Sequence, residues 1–225
     1  MKIFLDTAEL SEIERWLATG ILDGITTNPS LLKKAGFTNP QEAWKKIIEL
    51  IRLHGTEISL SAEVFCDQAE EMAAQARGFH KDLGYHGLAI KIPILATDGT
   101  DRLSVIRTLA NEKVAVNCTG CITWFQAFAA AKAGAKFVSL LYRRIIDAGL
   151  DGKLMIRKTR ELIDKFGLKS EIIAGSIRTA QDVHDAYEAG AHILTIPPKF
   201  FPELLYHKRS VETQEQFLRD AGVIK

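Results

Sequence analysis

The stretch AKAGAKFVSLL (131–141) decides the reading of the chain, because its punctuation returns almost unchanged as YEAGAHILTIP (187–197). In both, a helical segment runs into Ala-Gly-Ala, Gly134 or Gly190 can take the left-handed conformation that closes a helix, and an apolar run follows at once. Helix, glycine, strand is the return half of a βα unit. Outward from these two, six more runs of the same kind occur: KIFLD (2–6), GITT (24–27), EISLSAEV (57–64), GLAIKIPI (87–94), KVAVNCT (113–119) and EIIAGS (171–176). With KFVSLL (136–141) and HILTIP (192–197) they make eight expected strands. Helix-period segments lie between them, such as 8–19, where Leu10, Ile13, Trp16 and Leu17 share a face, and 179–189, where Val183, Ala186 and Tyr187 do.

Eight βα units in 225 residues average about 28 residues each, close to the minimum for a closed barrel. The expected architecture is α/β, a single (β/α)8 TIM barrel over 1–225 with an additional C-terminal helix. A doubly wound sheet is the alternative, but it normally carries a glycine-rich phosphate turn after its first strand, where this chain has LDTAEL (5–10). Residues 198–225 fall outside the repeat: PPKFFPELL (197–205) reads as a short helix, and Ser210 is the expected cap of a last helix ending near Asp220. This extension is expected to pack on a neighbouring subunit.

Twenty-nine basic and 28 acidic residues leave a formal charge of +1, which gives neither nucleic acid nor an anionic membrane a basic surface to hold. The N-terminal apolar run stops at Asp6, well short of a leader or a membrane span, and the odd number of cysteines, three, argues against a disulfide framework. A cytoplasmic enzyme acting on small molecules is the expectation. Cys118 and Cys121 form a CxxC, which suggests redox work or half a metal site; without a second CxxC, the alternative is small apolar residues at a strand–helix junction.

Barrel enzymes gather their chemistry where strands end. Here those ends are polar: Asp6, Thr26 and Asn28, Glu63, Lys91, Asn117 and Thr119, Ser139, then Ser176 with Arg178 just beyond. Most are also ordinary turn or cap residues. Lys91 is different, because LAIKIPI surrounds it with residues that belong inside a parallel sheet. Taking an ammonium out of water disfavours its charged form by several kcal/mol, so stability alone would place Ile or Val there. For catalysis the penalty is useful, since the neutral amine is the nucleophile that forms a Schiff base with a ketone. The structural alternative is a lysine reaching outward between helices. Asp6 and Glu63 are the carboxylates available to move protons, and the Thr119 hydroxyl could hold the water that shuttles them. GSIRTAQDV (175–183), where a helix begins near Thr179, suggests an anion site, and the Arg143–Arg144 pair adds donors or forms a solvated loop.

LDTAEL, GITTNPSLL (24–32), SAEV (61–64), AIKIPI (89–94), VNCT (116–119), SLLYRR (139–144), IIAGSIR (172–178) and GAHILTIP (190–197), in this order, resemble the transaldolases of the short bacterial type and the similar fructose-6-phosphate aldolases. The resemblance spans nearly the whole chain. It implies a class I mechanism in which Lys91 forms the Schiff base, Asp6 takes the proton from the substrate C4 hydroxyl, and Glu63 with Thr119 holds the catalytic water. Thr26, Asn28, Asn117 and Ser139 would line the site of the dihydroxyacetone unit, and Arg144, Ser176 and Arg178 would match the phosphate positions. It further implies ketose and aldose substrates with an anionic end, a homo-oligomer (often decameric), and no metal or organic cofactor. Glu63 favours the transaldolases over the aldolase branch, which has glutamine there. Three departures stand out: Leu141 replaces an aromatic residue and widens the pocket, Arg143 adds a donor beside Arg144, and GCIT (120–123) replaces a more apolar segment. Since these lie away from Lys91, a changed anionic end, such as a 6-sulfonate instead of a 6-phosphate, is a further expectation.

Overall fold

The strands fall where alternation predicts them. In the computed structural model, which describes all 225 residues, they form β1 (Lys2–Asp6), β2 (Gly24–Thr26), β3 (Ser59–Glu63), β4 (Leu88–Pro93), β5 (Val116–Cys121), β6 (Phe137–Leu141), β7 (Glu171–Gly175) and β8 (Ile193–Ile196). All neighbours pair in parallel and in chain order, and β8 returns to β1 to close the barrel. The crossovers are α1 (Leu10–Leu17), α2 (Pro29–Lys34) with α3 (Pro40–Leu53), α4 (Ala69–Leu83), α5 (Leu103–Asn111), α6 (Trp124–Ala133), α7 (Tyr142–Asp147) with α8 (Gly152–Lys165), and α9 (Ala180–Glu188). A 3-10 turn at Pro198–Phe200, α10 (Phe201–Leu205) and α11 (Lys208–Asp220) follow β8. This is the (β/α)8 fold with an extra C-terminal helix.

Gly134 and Gly190 take φ of +106° and +95°, so the shared Ala-Gly-Ala punctuation does close helices before β6 and β8. Three details differ from the sequence reading. Helix α11 starts two residues before Ser210, because the His207 ring nitrogen accepts from the Arg209 N–H at 3.2 Å and supplies the cap. Strand β5 begins and ends later than expected and carries an irregularity between Cys118 and Cys121, so both cysteines lie on the strand itself. Short helices α2 and α7 intervene before the main crossover helices; Asn28 and Pro29 are the local signal for α2, since the Asn28 side chain caps the Leu31 N–H at 2.9 Å.

Period-two alternation then divides the strand residues between two environments. Leu5, Ile25, Leu60, Ile90, Val138, Ile172 and Leu194 are buried beneath the helices. Phe4, Ala89, Phe137, Ile173 and Ile193 form a separate small apolar cluster, with the Phe4 and Phe137 rings edge to face at 6.0 Å. Burying each ring stabilises the fold by about 1.5–3 kcal/mol. Two residues further along the same strands come Asp6, Lys91, Ser139, Gly175 and Thr195, all of them lining one cavity. The apolar layer is the floor on which the polar layer stands.

Candidate active site

The cavity at the C-terminal ends of the strands measures about 470 Å³. Its wall brings together Asp6, Thr26, Asn28, Glu63, Lys91, Asn117, Thr119, Ser139, Leu141, Arg144 and Ser176 from the sequence reading. Register explains the centre of it. Glu63, Lys91 and Asn117 are direct cross-strand partners on β3, β4 and β5, so three polar side chains stand level on adjacent strands.

Lys91 is buried and points inward, not out between the helices. Its ammonium donates to the Thr27 carbonyl at 2.9 Å and lies 2.8 Å from Glu63 Oε2, so apolar burial is only part of its environment. Thr27 is itself held by its side chain: its hydroxyl donates to the Ser61 carbonyl and accepts from the buried Trp44 indole at 3.0 Å. Asp6 accepts from the Thr26 hydroxyl at 2.7 Å. Burial pushes the Asp6 carboxyl above its ordinary value; the Thr26 hydrogen bond and the Lys91 charge oppose that rise, and the Glu63 charge adds to it. The Ser139 hydroxyl donates to Asn117 Oδ1 at 2.7 Å, and Asn117 donates to Ser61 Oγ at 3.1 Å, which fixes the amide's orientation.

Arg143 and Arg178 are not part of this wall. Asp182 on α9 explains why. Its carboxylate accepts from the Arg178 and Thr179 backbone N–H groups at 2.8 and 2.9 Å and from Arg143 Nε at 2.9 Å, while the Arg178 side chain pairs with Asp147 at 2.7 Å. Burial alone would raise the Asp182 carboxyl; the Arg143 guanidinium and the two amides outweigh it and hold the group below its ordinary value. At the start of α9 the Asp182 carboxylate therefore takes the Arg178 and Thr179 N–H groups while the Thr179 hydroxyl takes that of Asp182, so these three N–H groups of GSIRTAQDV are satisfied within the protein. Arg144, which makes no ion pair, and Ser176, held at φ +59°, remain on the cavity wall. The sequence reading missed Ser61 and Thr195, although each lies two residues from a neighbour on the inner face of its own strand.

Cys118 and Cys121 are buried free thiols with sulfurs 3.8 Å apart, and mutual contact with burial pushes the Cys118 thiol well up. No group of three or more His, Cys, Asp or Glu side chains is arranged to hold a metal ion, and no helix is long and apolar enough to cross a membrane.

A family model described as Transaldolase/Fructose-6-phosphate aldolase matches residues 3–223. A protein named probable transaldolase 2 from Listeria monocytogenes is 38% identical over 221 residues, covering 98% of this chain and 95% of that one. Probable transaldolases from Alkaliphilus metalliredigens and Parvibaculum lavamentivorans are 38% and 39% identical; the former is covered end to end, the latter over 96% of its length and 98% of this chain. Among solved structures, a thiamine phosphate pyrophosphorylase from Pyrococcus furiosus shares the fold alone, with a TM-score of 0.57 at 12% identity over 87% of this chain and 85% of that one. Matched over nearly its whole length, with one buried lysine among carboxylates at the mouth of the barrel, this chain belongs to the transaldolase/fructose-6-phosphate aldolase family.

Proposed function

We propose that this protein is a class I transaldolase that moves a dihydroxyacetone unit from a ketose phosphate to an aldose phosphate through a Schiff base on Lys91. The observation that carries this reading is the Lys91–Glu63 contact of 2.8 Å inside the cavity. Glu63 takes the ammonium proton, directly or through a water held by Thr119, and the free amine attacks the ketone carbon. The carbinolamine loses water to give an iminium. Asp6 then removes the proton from the C4 hydroxyl, the C3–C4 bond breaks, and its electron pair moves into the iminium as an enamine while the aldehyde leaves. Attack of the enamine on an acceptor aldehyde, followed by hydrolysis, restores the lysine. Thr26, Asn28, Asn117 and Ser139 hold the dihydroxyacetone hydroxyls, and Arg144 with Ser176 holds the anionic end. The reaction needs no metal or organic cofactor.

Borohydride trapping with fructose 6-phosphate should add the reduced ketose to the Lys91 peptide and to no other, and Lys91→Ala should abolish the adduct. An unlabelled Lys91 overturns the reading. A fructose-6-phosphate aldolase activity instead would consume donor equally with and without acceptor. Of the three departures behind the 6-sulfonate expectation, Arg143 is bound to Asp182, whereas Leu141 and Gly120 of GCIT line the cavity and still favour it; comparing turnover of the two fructose derivatives decides. The enzyme is proposed to be a homo-oligomer, with a decamer as the expected size, joined through residues 198–225, because α11 buries no residue in one chain and leaves Val211 and Phe217 exposed. Removal of residues 208–225 should lower the mass measured by light scattering.

A further inference from the structure

Thr195 carries no step of the proposed reaction, yet it stands on the cavity wall beside the base. Its side chain comes from β8, is only 4% exposed, and its hydroxyl is hydrogen-bonded to the Thr26 hydroxyl. Thr26 in turn donates to Asp6 Oδ1 at 2.7 Å. With Asp6 ionised, as the proposed base must be, the direction of this chain is set. A hydroxyl has one proton, an ionised carboxylate can only accept, and so the Thr26 proton goes to Asp6 and the bond between the threonines is donated by Thr195. Three side chains from β8, β2 and β1 thus form a single line of donors that ends on Asp6. Hydrogen bonds in such a line polarise one another, so a donor behind Thr26 makes Thr26 a better donor to the carboxylate.

We infer that Thr195 is a positioning residue for the reaction: by donating to Thr26 it strengthens the hydrogen bond that orients the Asp6 carboxylate and keeps it ionised. The inference rests on the proposed role of Asp6 as the base. Burial works in the opposite direction on this carboxyl, and the hydrogen bond from Thr26 is the first of the influences that offset it. The other charged groups around Asp6 come from different elements. Lys91 on β4 and Glu63 on β3 face it inside the cavity, with Arg144 on the same wall. On its outer side a second cleft of about 360 Å³ carries Glu9, Glu12, Arg15, Lys34 and Lys199. None of these is altered by changing Thr195, so a shift in the pH profile on substitution reports the hydroxyl.

The test uses Thr195→Val, which keeps the branched shape and removes the donor, and Thr195→Ser, which keeps the donor. In Thr195→Val the acid side of the kcat/KM profile should move to higher pH, with about a 1.3- to 4-fold loss there, the share of a charge-assisted hydrogen bond that one polarising donor supplies, and little loss at the plateau. Thr195→Ser should restore the wild-type profile. Borohydride trapping on Lys91 should proceed normally in both, since Schiff-base formation does not use this line of donors. A Thr195→Val enzyme with an unmoved acid limb overturns the inference, as does a Thr195→Ser enzyme as impaired as the valine variant. If Asp6→Asn were fully active, the reading of the base itself would fall; if Asp6→Asn is inactive and Thr195→Val is unchanged, only the role of Thr195 falls.

Discussion

Replacing Asp6 by asparagine separates what this carboxylate does for the reaction from what it does to the fold. Around the amine the site holds two carboxylates, Asp6 and Glu63, and one ammonium, so one negative charge is left over; Arg144 enters behind β6, two strands from Lys91 and three from Asp6 round the ring. Lys91 is 2.8 Å from Glu63, whereas the direct partner of Asp6 is the neutral Thr26 hydroxyl at 2.7 Å. In Asp6→Asn the amide would keep an oxygen to accept from Thr26 and would shed the excess charge. Relief of this kind at an active site typically stabilises by about 0.5–2 kcal/mol. For a chain of this size that raises the unfolding midpoint by about 1–8 °C. The pH dependence has a definite sign. Because burial raises the native Asp6 carboxyl above its ordinary 3.8, the native state binds more protons than the unfolded chain across that window, and stability falls as pH rises through it. The destabilisation is fully present above the window and absent below pH 3.8, so the midpoints of variant and wild type should differ most near neutrality and converge in acid. Activity should move the other way, with kcat for transfer down about 10²- to 10⁴-fold, or roughly 3–5.5 kcal/mol of barrier. Thermal melts across pH and kcat on the same preparation measure both. A variant less stable than wild type near neutral pH refutes the charge argument, and a variant of unchanged kcat removes Asp6 from the mechanism.

The two adjacent arginines should separate cleanly. Arg144→Leu should raise KM for phosphorylated substrates about 10- to 100-fold, the size of a charge-assisted hydrogen bond, with the midpoint nearly unchanged, whereas Arg143→Leu should leave KM within about twofold and lower stability by about 1–3 kcal/mol. Steady-state kinetics and urea unfolding distinguish them. Asp182→Ala strips two backbone amides and Arg143 of their acceptor and should destabilise by about 2–4 kcal/mol in urea titrations near neutral pH. Since Asp182 is held below its ordinary 3.8, its contribution is present above that value and is lost as pH falls through the lower native one, so the deficit should vanish in strong acid. Cys118→Ala should keep turnover within about twofold, with a modest loss of stability from the missing sulfur; a dead enzyme would show that the buried thiol pair takes part in the chemistry.

Eight strands, their order and the position of Lys91 are legible in the linear chain. These are local properties: short apolar runs, helices of period 3.6 and a glycine at the return are written in consecutive residues. In a parallel barrel, consecutive order also fixes spatial order, so polar strand ends such as Asp6, Glu63, Lys91 and Asn117 are brought to one mouth without further information. How the polar groups divide their hydrogen bonds emerges only once the chain is folded. Arg143, Arg144 and Arg178 look alike in SLLYRR and GSIR, yet Asp182, 39 residues after Arg143, takes Arg143 together with the Arg178 and Thr179 amides and leaves Arg144 to the cavity. Thr195 joins Thr26 across 169 residues because β8 closes on β1, and Ser61 meets Asn117 across 56. A carboxylate satisfies whichever donors the fold brings within about 3 Å, and that competition is settled between elements far apart in the chain.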